Sequence, residues 1–528
     1  MQNTLIKSLV ALFMLIVLLL TQVSCSQHNK PVDLPNDSIT IGQITRFKTL
    51  NPILEFSGVS AQILNIIFDG LIRKGDEGEI LPNVAVSWEM NNEGRDWIFH
   101  LRHGVEFHDG YPLTAADVEF TFNLIRDPNV ASPYFAVYQH IREIHVRDSY
   151  TIDIQLAKPS PSFIYDLTIG IMPKHLLQGL NFNLFNYHPI GTGPYQCIRW
   201  SPDRVELGAN QNYFLGRAHL DRVVIRSFEN QGIAWAHLMK GDIDVLLSLN
   251  LTAYEIIKKI SCFNVYSNLR PYYYIICFNM DNPLFQDRRV RQALNYAIDK
   301  QSIVDKVIKE RKFISSGTIS PYSWAFDSTL KPYPCDPKKA LMLLAEAGWK
   351  DTDGDHILDK NNQPFTFQLC LPKGHDEIDT ASLMLMEQLS NIGVMVRVKK
   401  VPVDILTQNY LLTKKFEGVF LYINSGDDPD KNYQFWHSSH IKNGFNFFSY
   451  RNSRIDQLLD EGRAATDRQE RKELYSLYQQ QMKEDPPGIF LFWRETLISV
   501  HKRFHGVKFS PFCGTLDTIR EWYVPGDD

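Results

Sequence analysis

Apolar and polar positions alternate sharply near residue 100. Trp97, Phe99 and Leu101 interleave with Ile98, His100 and Arg102, the period of two expected of a half-buried strand. Val105 to Phe107 repeats a shorter strand signal, and His108-Asp109-Gly110 supplies a turn. Thr114 and Asp117 form a Thr-x-x-Asp capping signal, after which Val118, Phe122 and Ile125 recur at helical spacing. Up to about Arg270 the pattern stays mixed, with short strands at Val205-Glu206-Leu207 and Val223 to Ile225. Gly241 to Val245 reads as a turn into another strand. From about Phe278 the helical signal strengthens. Asp287 is an expected N-cap before the stripe Val290, Leu294, Ala297 and Ile298, and Pro337 to Leu344 and Arg454 to Met482 are amphipathic. Strands at Thr366 to Leu371 and Gly418 to Tyr422 alternate with these helices, which predicts an α/β lobe with a largely parallel sheet. Ile489 to Val500 returns to strand character, and the tail through Val507 and Tyr523 is expected to rejoin the first part of the chain.

That return has a mechanical consequence. A chain of 528 residues is too long for one ordinary core, so two or three lobes are expected. If it leaves the first lobe near Tyr272–Phe278 and re-enters near Ile489–Phe492, two extended crossings connect the lobes. Such a pair makes a hinge that can close on a ligand.

Composition narrows the class. Hydrophobic residues at 44% and charged residues at 22% describe a globular chain. A net charge of -5, with no long Lys/Arg run, argues against a nucleic-acid partner. Lys7, the apolar run Leu9 to Leu20 and the small residues before Cys25 make a secretory signal. Cys25 resembles the lipid-acceptor cysteine of bacterial lipoproteins, although Gln22 stands where that motif prefers Leu. Plain cleavage or a retained anchor stays open. The polar stretch 26–37, with Pro31 and Pro35, suits a tether.

Candidate chemistry is sparse. His100 and His103 would point to opposite faces of a strand, so with His108 they make a poor metal site. Asp351, Asp353, Asp355 and Asp359 are spaced like a calcium loop, but His356 replaces its glycine and Asn362 its closing Glu; a solvated turn is the simpler reading. Gly191-Thr-Gly193-Pro-Tyr195 lacks the Lys-Ser/Thr of a phosphate loop. Cys197, Cys262, Cys277, Cys335, Cys370 and Cys513 are scattered without a CxxC pair, so buried thiols and at most one disulfide are expected. Neither a nucleophile elbow nor a zinc-protease helix occurs, and no catalytic residue, metal or cofactor is expected.

The phrases FDGLIRK, ILPNVAVSWE, FHLRHGVEFHDGYPLTAADVEF, PIGTGPYQ, FNMDNPLFQDRRVRQALNYAIDK, PKKALMLLAEAGW and YRNSRIDQLLDEGRAATDRQERKELY resemble, in order, extracellular solute-binding protein family 5. This family holds the oligopeptide-, dipeptide- and nickel-binding proteins of ABC importers. The resemblance implies a two-lobed periplasmic-binding-protein type II fold of α/β class with an extra small subdomain. In this chain it implies a signal at 1–25, a tether at 26–37 and lobe one at 38–277 with an insertion at about 80–200. Lobe two would be 278–488, with 489–528 returning to lobe one. It further implies a membrane-anchored extracytoplasmic monomer that delivers a small solute, most simply a peptide, to ABC permease subunits. Metal chelates and oligosaccharides are alternative cargoes, and a surface lipoprotein for a macromolecular partner is an alternative role.

A strand ending at Tyr422 should open its loop onto the cleft. The family's peptide binders place there an acid that pairs with the peptide amine; in ungapped register that position is Ser425, and Asp427 or Asp428 could substitute. The competing reading makes these acids caps of the following helix. Tyr274 and Asn279 at the first crossing, with Tyr422, Ser425, Asp427, Asp428 and Trp436, are the expected ligand contacts.

Overall fold

A ten-stranded sheet runs through both halves of the molecule in a computed structural model that describes residues 37–526 except 56–57, 179–184, 187, 310–311, 427 and 513. From one edge its strands are Met395–Val401, Thr366–Pro372, Gly418–Asn424, Phe263–Phe278, Gly488–His501, Val245–Leu246, Ser38–Gln43, Arg222–Ser227, Arg204–Ala209 and Tyr195–Ser201. The two long strands at its centre, Phe263–Phe278 and Gly488–His501, serve both lobes. They pair antiparallel from Phe263 opposite His501 to Leu269 opposite Glu495, and again from Tyr273 opposite Trp493 to Cys277 opposite Gly488. Between those stretches the register breaks at Arg270-Pro271-Tyr272. Pro271 has no N–H to give the ladder, so the break falls where a strand is weakest.

Two large buried clusters flank this waist. One gathers Phe278, Leu294, Leu369, Phe420 and Trp436; the other gathers Ile39, Phe99, Phe122, Val223 and Trp522. Trp522, in the tail, packs in the second of these clusters. A separate four-stranded sheet, Ala85–Asn91, Asp96–Leu101, Thr151–Leu156 and Ile141–Asp148, adds a small layer to that cluster. In it Trp97, Phe99 and Leu101 are buried while their neighbours are half-buried, as the alternation predicts. The Asp117 carboxylate accepts the Thr114 N–H at 2.8 Å and its hydroxyl at 2.9 Å, closing the cap of helix Ala115–Arg126. Asp287 is itself the N-cap of Arg288–Tyr296 and accepts the Arg289 N–H at 2.9 Å.

Several expectations need correction. The second-lobe sheet is mixed rather than largely parallel. Thr366–Pro372 runs parallel to both neighbours, but Gly418–Asn424 pairs antiparallel with Phe263–Phe278. Val105 to Phe107 is no strand. A single bridge, Glu106 to Pro112, joins the arms of a tight loop around Gly110, whose φ of 85° suits glycine. Arg454 to Met482 is two helices, Ser453–Ala464 and Arg468–Glu484, because Ala465 turns extended and Asp467 caps a new start. The cysteines at 197, 262, 277, 335 and 370 are free thiols, and Cys513 lies outside the described residues. Cys25, the signal and the tether up to residue 36 also lie outside them. No helix among the described residues is long and apolar enough to cross a membrane.

The histidines of the 100–108 segment do not converge. His100 meets Glu89, and the His103 ring lies 3.9 Å from that of Tyr150. His108 clamps the glycine turn. Its Nδ1 accepts the Gly191 N–H at 3.2 Å, and its Nε2 donates to the Gly193 carbonyl at 3.1 Å. Burial pushes this imidazole down to about 4, against smaller opposing effects of the Gly193 carbonyl and Asp109. An unfolded histidine takes up its proton near pH 6.5, so His108 contributes stability that is complete above that pH. It is lost as pH falls towards 4, by roughly 3 kcal/mol in all. Denaturation midpoints between pH 7 and 4.5 should fall more steeply for the wild type than for His108→Gln; parallel slopes would remove this role.

Candidate functional site

The loop that follows strand Gly418–Asn424 is held at three points. The Ser425 N–H donates to the Pro271 carbonyl at 2.8 Å and its hydroxyl donates to the same oxygen at 3.2 Å, tying the loop to the register break between the lobes. Gly426 turns the chain with a φ of 69°. Asp428 then caps the short turn Pro429–Lys431 and takes Arg471 in a two-bond clamp of 2.6 and 3.0 Å. Asp428 in turn holds the Arg471 guanidinium charged against its burial. Asp430 is clamped similarly by Arg463 at 2.8 and 2.9 Å. It also accepts a 3.1 Å hydrogen bond from the Ser162 hydroxyl, which belongs to the first lobe. One side chain of each lobe therefore meets across the gap.

Two cavities occupy that gap. The larger, about 570 Å³, lies against Asp69, Arg73, Lys74, Arg270, Tyr272 and the tail residues Phe512, Asp517 and Arg520. The smaller, about 240 Å³, lies against Tyr165, Asp166, Asp428, Asp430, Lys431 and Gln434, among others. Asn65, Lys74, Tyr134 and Thr168 of the first lobe and Asn424 of the second line both, so the two make one cleft. Its walls carry charges of both signs. Asp69 is satisfied within the first lobe by Asn83, Thr192 and Tyr213 at 2.9 to 3.1 Å. Asp517, exposed on the cavity wall, accepts from Asn65 at 3.2 Å and from the Gly514 N–H at 2.7 Å.

The residues expected to contact ligand divide sharply. Asp428 lines the smaller cavity, but both its oxygens face Arg471. Tyr422 is half-buried, with the rings of Tyr272, Tyr274 and His375 at 5.8, 5.7 and 5.6 Å and the Arg494 guanidinium at 4.9 Å. Asp427 lies outside the described residues. Four others are taken up inside the protein. Tyr274 is buried and donates to Glu377 at 2.7 Å. Asn279 Nδ2 spans the Lys414 and Phe416 carbonyls at 3.0 Å each. Ser425 is bound to Pro271. Trp436 is fully buried, its ring 5.4 Å from Phe448 and its Nε1 donating to the Tyr273 hydroxyl at 3.3 Å. The expectation that Trp436 faces the cleft is thus corrected: the short helix Asn432–Trp436 turns the ring into the second lobe's core.

Sequence reasoning missed Asn65, Tyr134, Tyr165, Asp166, Asp517 and Arg520. They come from segments far apart in the chain, none carrying a distinguishing pattern. Lys74 ends the FDGLIRK phrase and was within reach. The acidic loop brings Asp351, Asp353 and Asp359 within 4.8 Å of one another, and these carboxylates accept the loop's own N–H groups.

Residues 79–446 match the family model described as bacterial extracellular solute-binding proteins, family 5. The oligopeptide-binding protein AppA of Bacillus subtilis (strain 168) is 29% identical over 498 residues, which cover 92% of this chain and 91% of that protein. The structure of AppA from Bacillus subtilis with a nonapeptide superposes with a TM-score of 0.80, at 28% identity and over 93% of this chain and 99% of that one. NikZ of Campylobacter jejuni with Ni(L-His) is similar at 30% identity and a TM-score of 0.81, over 93% of this chain and all of that one.

Proposed function

The chain belongs to the bacterial extracellular solute-binding proteins of family 5, and from that footing we propose that it captures peptides for an ABC importer. The observation that carries the reading is the cleft. First-lobe and second-lobe residues wall one continuous space, and the lobes are joined by two strands whose pairing lapses at Pro271. A solute in that space touches both lobes only when they are closed, so it stabilises the closed form through contacts the open form lacks. The permease would then read closure. Likeness to AppA over nearly the whole chain supports a peptide cargo. We further propose a monomer anchored through lipid on Cys25. Its lobes would be 38–277, with an insertion at about 80–200, and 278–488, and 489–528 would return to the first. Tyr422, Asp427 and Asp428 would be the loop's side of the cleft.

Mass spectrometry of solute retained by natively purified protein tests the cargo. Peptides in the retained fraction would support the reading; a retained metal chelate or sugar, with no peptide bound from a broad panel, would overturn it. Closure has its own test. Ser162→Ala removes the hydrogen bond from the first lobe to the Asp430 carboxylate, worth about 1.5 kcal/mol for a charged acceptor. Cargo affinity should fall roughly tenfold, with unfolding temperature unchanged. Unaltered affinity would mean that this contact does not hold the lobes together.

A further inference from the structure

A cluster of rings stands beside the Ser162–Asp430 contact between the lobes. On the second lobe, Tyr433 takes the Arg463 guanidinium over its ring at 3.5 Å, the His437 imidazole in a parallel stack at 4.2 Å and the His440 imidazole edge-on at 5.4 Å. Arg463 also clamps Asp430, so the cluster continues into the contact with Ser162. The first lobe brings His140 to the same place. Its neighbours Tyr138 and Ile141 are buried in that lobe's core, and its carbonyl accepts the Ala157 N–H at 2.8 Å. The backbone is thereby fixed while the residue stays exposed. Of the charges around its imidazole, Arg463 across the gap acts most strongly, then Asp430, then Lys158 of its own lobe. His440 is half-buried. Burial pushes its imidazole below the usual range, and Arg463, His437 and His140 push the same way against Asp430. His437 differs, because Asp460 at 3.5 Å and Asp456 at 4.0 Å face it within its own lobe.

Closure therefore sets two titratable rings, one from each lobe, around a guanidinium that is always charged. Asp430 attracts a proton on either ring, but its oxygens already serve Arg463 and Ser162. We infer that His140 and His440 form an acid-triggered release switch: once protonated, they repel Arg463 and each other across the gap, and the lobes part. This rests on the capture reading above and adds to it a condition for letting cargo go. The sign follows from linkage. Opening carries His140 away from Arg463 and His440, so the open form binds protons more tightly than the closed form. Acid then shifts the balance towards the open form, and cargo held by the closed form is lost as pH falls through the histidine range. Because His140 is exposed, water screens part of each charge and the effect is a modest one.

The test uses the full chain and a random tetrapeptide library, followed by calorimetry on one captured sequence at pH 7.5 and 5.5. Wild-type affinity should fall about fivefold over that interval. His140→Gln/His440→Gln keeps polar side chains without a titrating group; it should match the wild type at pH 7.5 and lose roughly twofold or less. Other groups of the cleft titrate in both proteins, so the difference between the two slopes is the measure. Each single variant should remove part of the slope, which keeps the test available if the double variant folds poorly. Equal slopes in wild type and variants overturn the inference. So does a wild type that binds more tightly in acid, because protonated His140 or His440 would then be holding Asp430 and keeping the lobes shut. A wild type that captures no tetrapeptide removes the peptide reading alone, and small-angle scattering of the protein by itself then decides. Between pH 7.5 and 5.5 the wild type should expand more than the histidine variants; an equal response in both overturns the switch.

Discussion

Asp428→Ala should destabilise the second lobe by about 3–5 kcal/mol, because it strands a buried guanidinium. Arg471 is 5% exposed, and Asp428 is nearly as enclosed at 6%. Without the carboxylate, Arg471 keeps the Gly462 carbonyl at 3.1 Å, its contacts with the Trp324 and Tyr475 rings and the more distant charge of Asp430, which is itself clamped by Arg463. Removing both partners should cost less than removing one. Asp428→Ala/Arg471→Met is therefore expected to recover roughly 2 kcal/mol relative to Asp428→Ala, since a methionine fills much of the volume without a charge to desolvate. Urea denaturation of the two single variants and the double variant gives the coupling directly. Additive effects would show that the pair is not acting as a unit. This outcome also bears on the cleft, because any loss of cargo affinity in Asp428→Ala would arrive with loss of stability and could not be read as a lost ligand contact.

Trp436→Ala is expected to cost about 3–5 kcal/mol, the usual range for deleting a buried aromatic side chain. The indole is fully enclosed by Phe448, Tyr450 and Tyr273, and truncation leaves a cavity that those rings cannot easily fill. Trp436→Phe retains a ring and should cost less, chiefly through the lost hydrogen bond to Tyr273 and a smaller void. The Phe variant should keep its cargo affinity, since the ring points away from the cleft. Tenfold weaker binding in Trp436→Phe, with the fold intact, would return Trp436 to the site.

The scaffold was legible because its signals are local. The Thr114–Asp117 cap, the Asp287 cap and the Trp97–Leu101 alternation each act within a few residues, and each stands where the pattern places it. Errors arose where local signals were ambiguous. A three-residue apolar run at Val105–Phe107 serves a tight loop as well as a strand, and one long helical pattern over 454–482 concealed the break before Asp467. The site was harder to read. Its loop could be located from the strand ending near Tyr422, but the same aromatic and acidic residues serve equally as core and caps. Trp436, Asn279 and Asp428 illustrate this, each with its polar atoms taken by a protein partner.

By itself the sequence determined the family, the α/β lobes and the two crossings between them, since period, caps and turn residues encode short-range geometry that survives in one dimension. Only the tertiary structure decided which side chains meet the cleft. Ser162 and Asp430 are separated by 268 positions, yet lie 3.1 Å apart. Asn65 and Asp517 are separated by 452 and also form a hydrogen bond. Whether an acid is free for cargo depends on whether an arginine from a distant helix has already claimed it. Arg471 has claimed Asp428 and Arg463 has claimed Asp430, and no spacing along the chain records either.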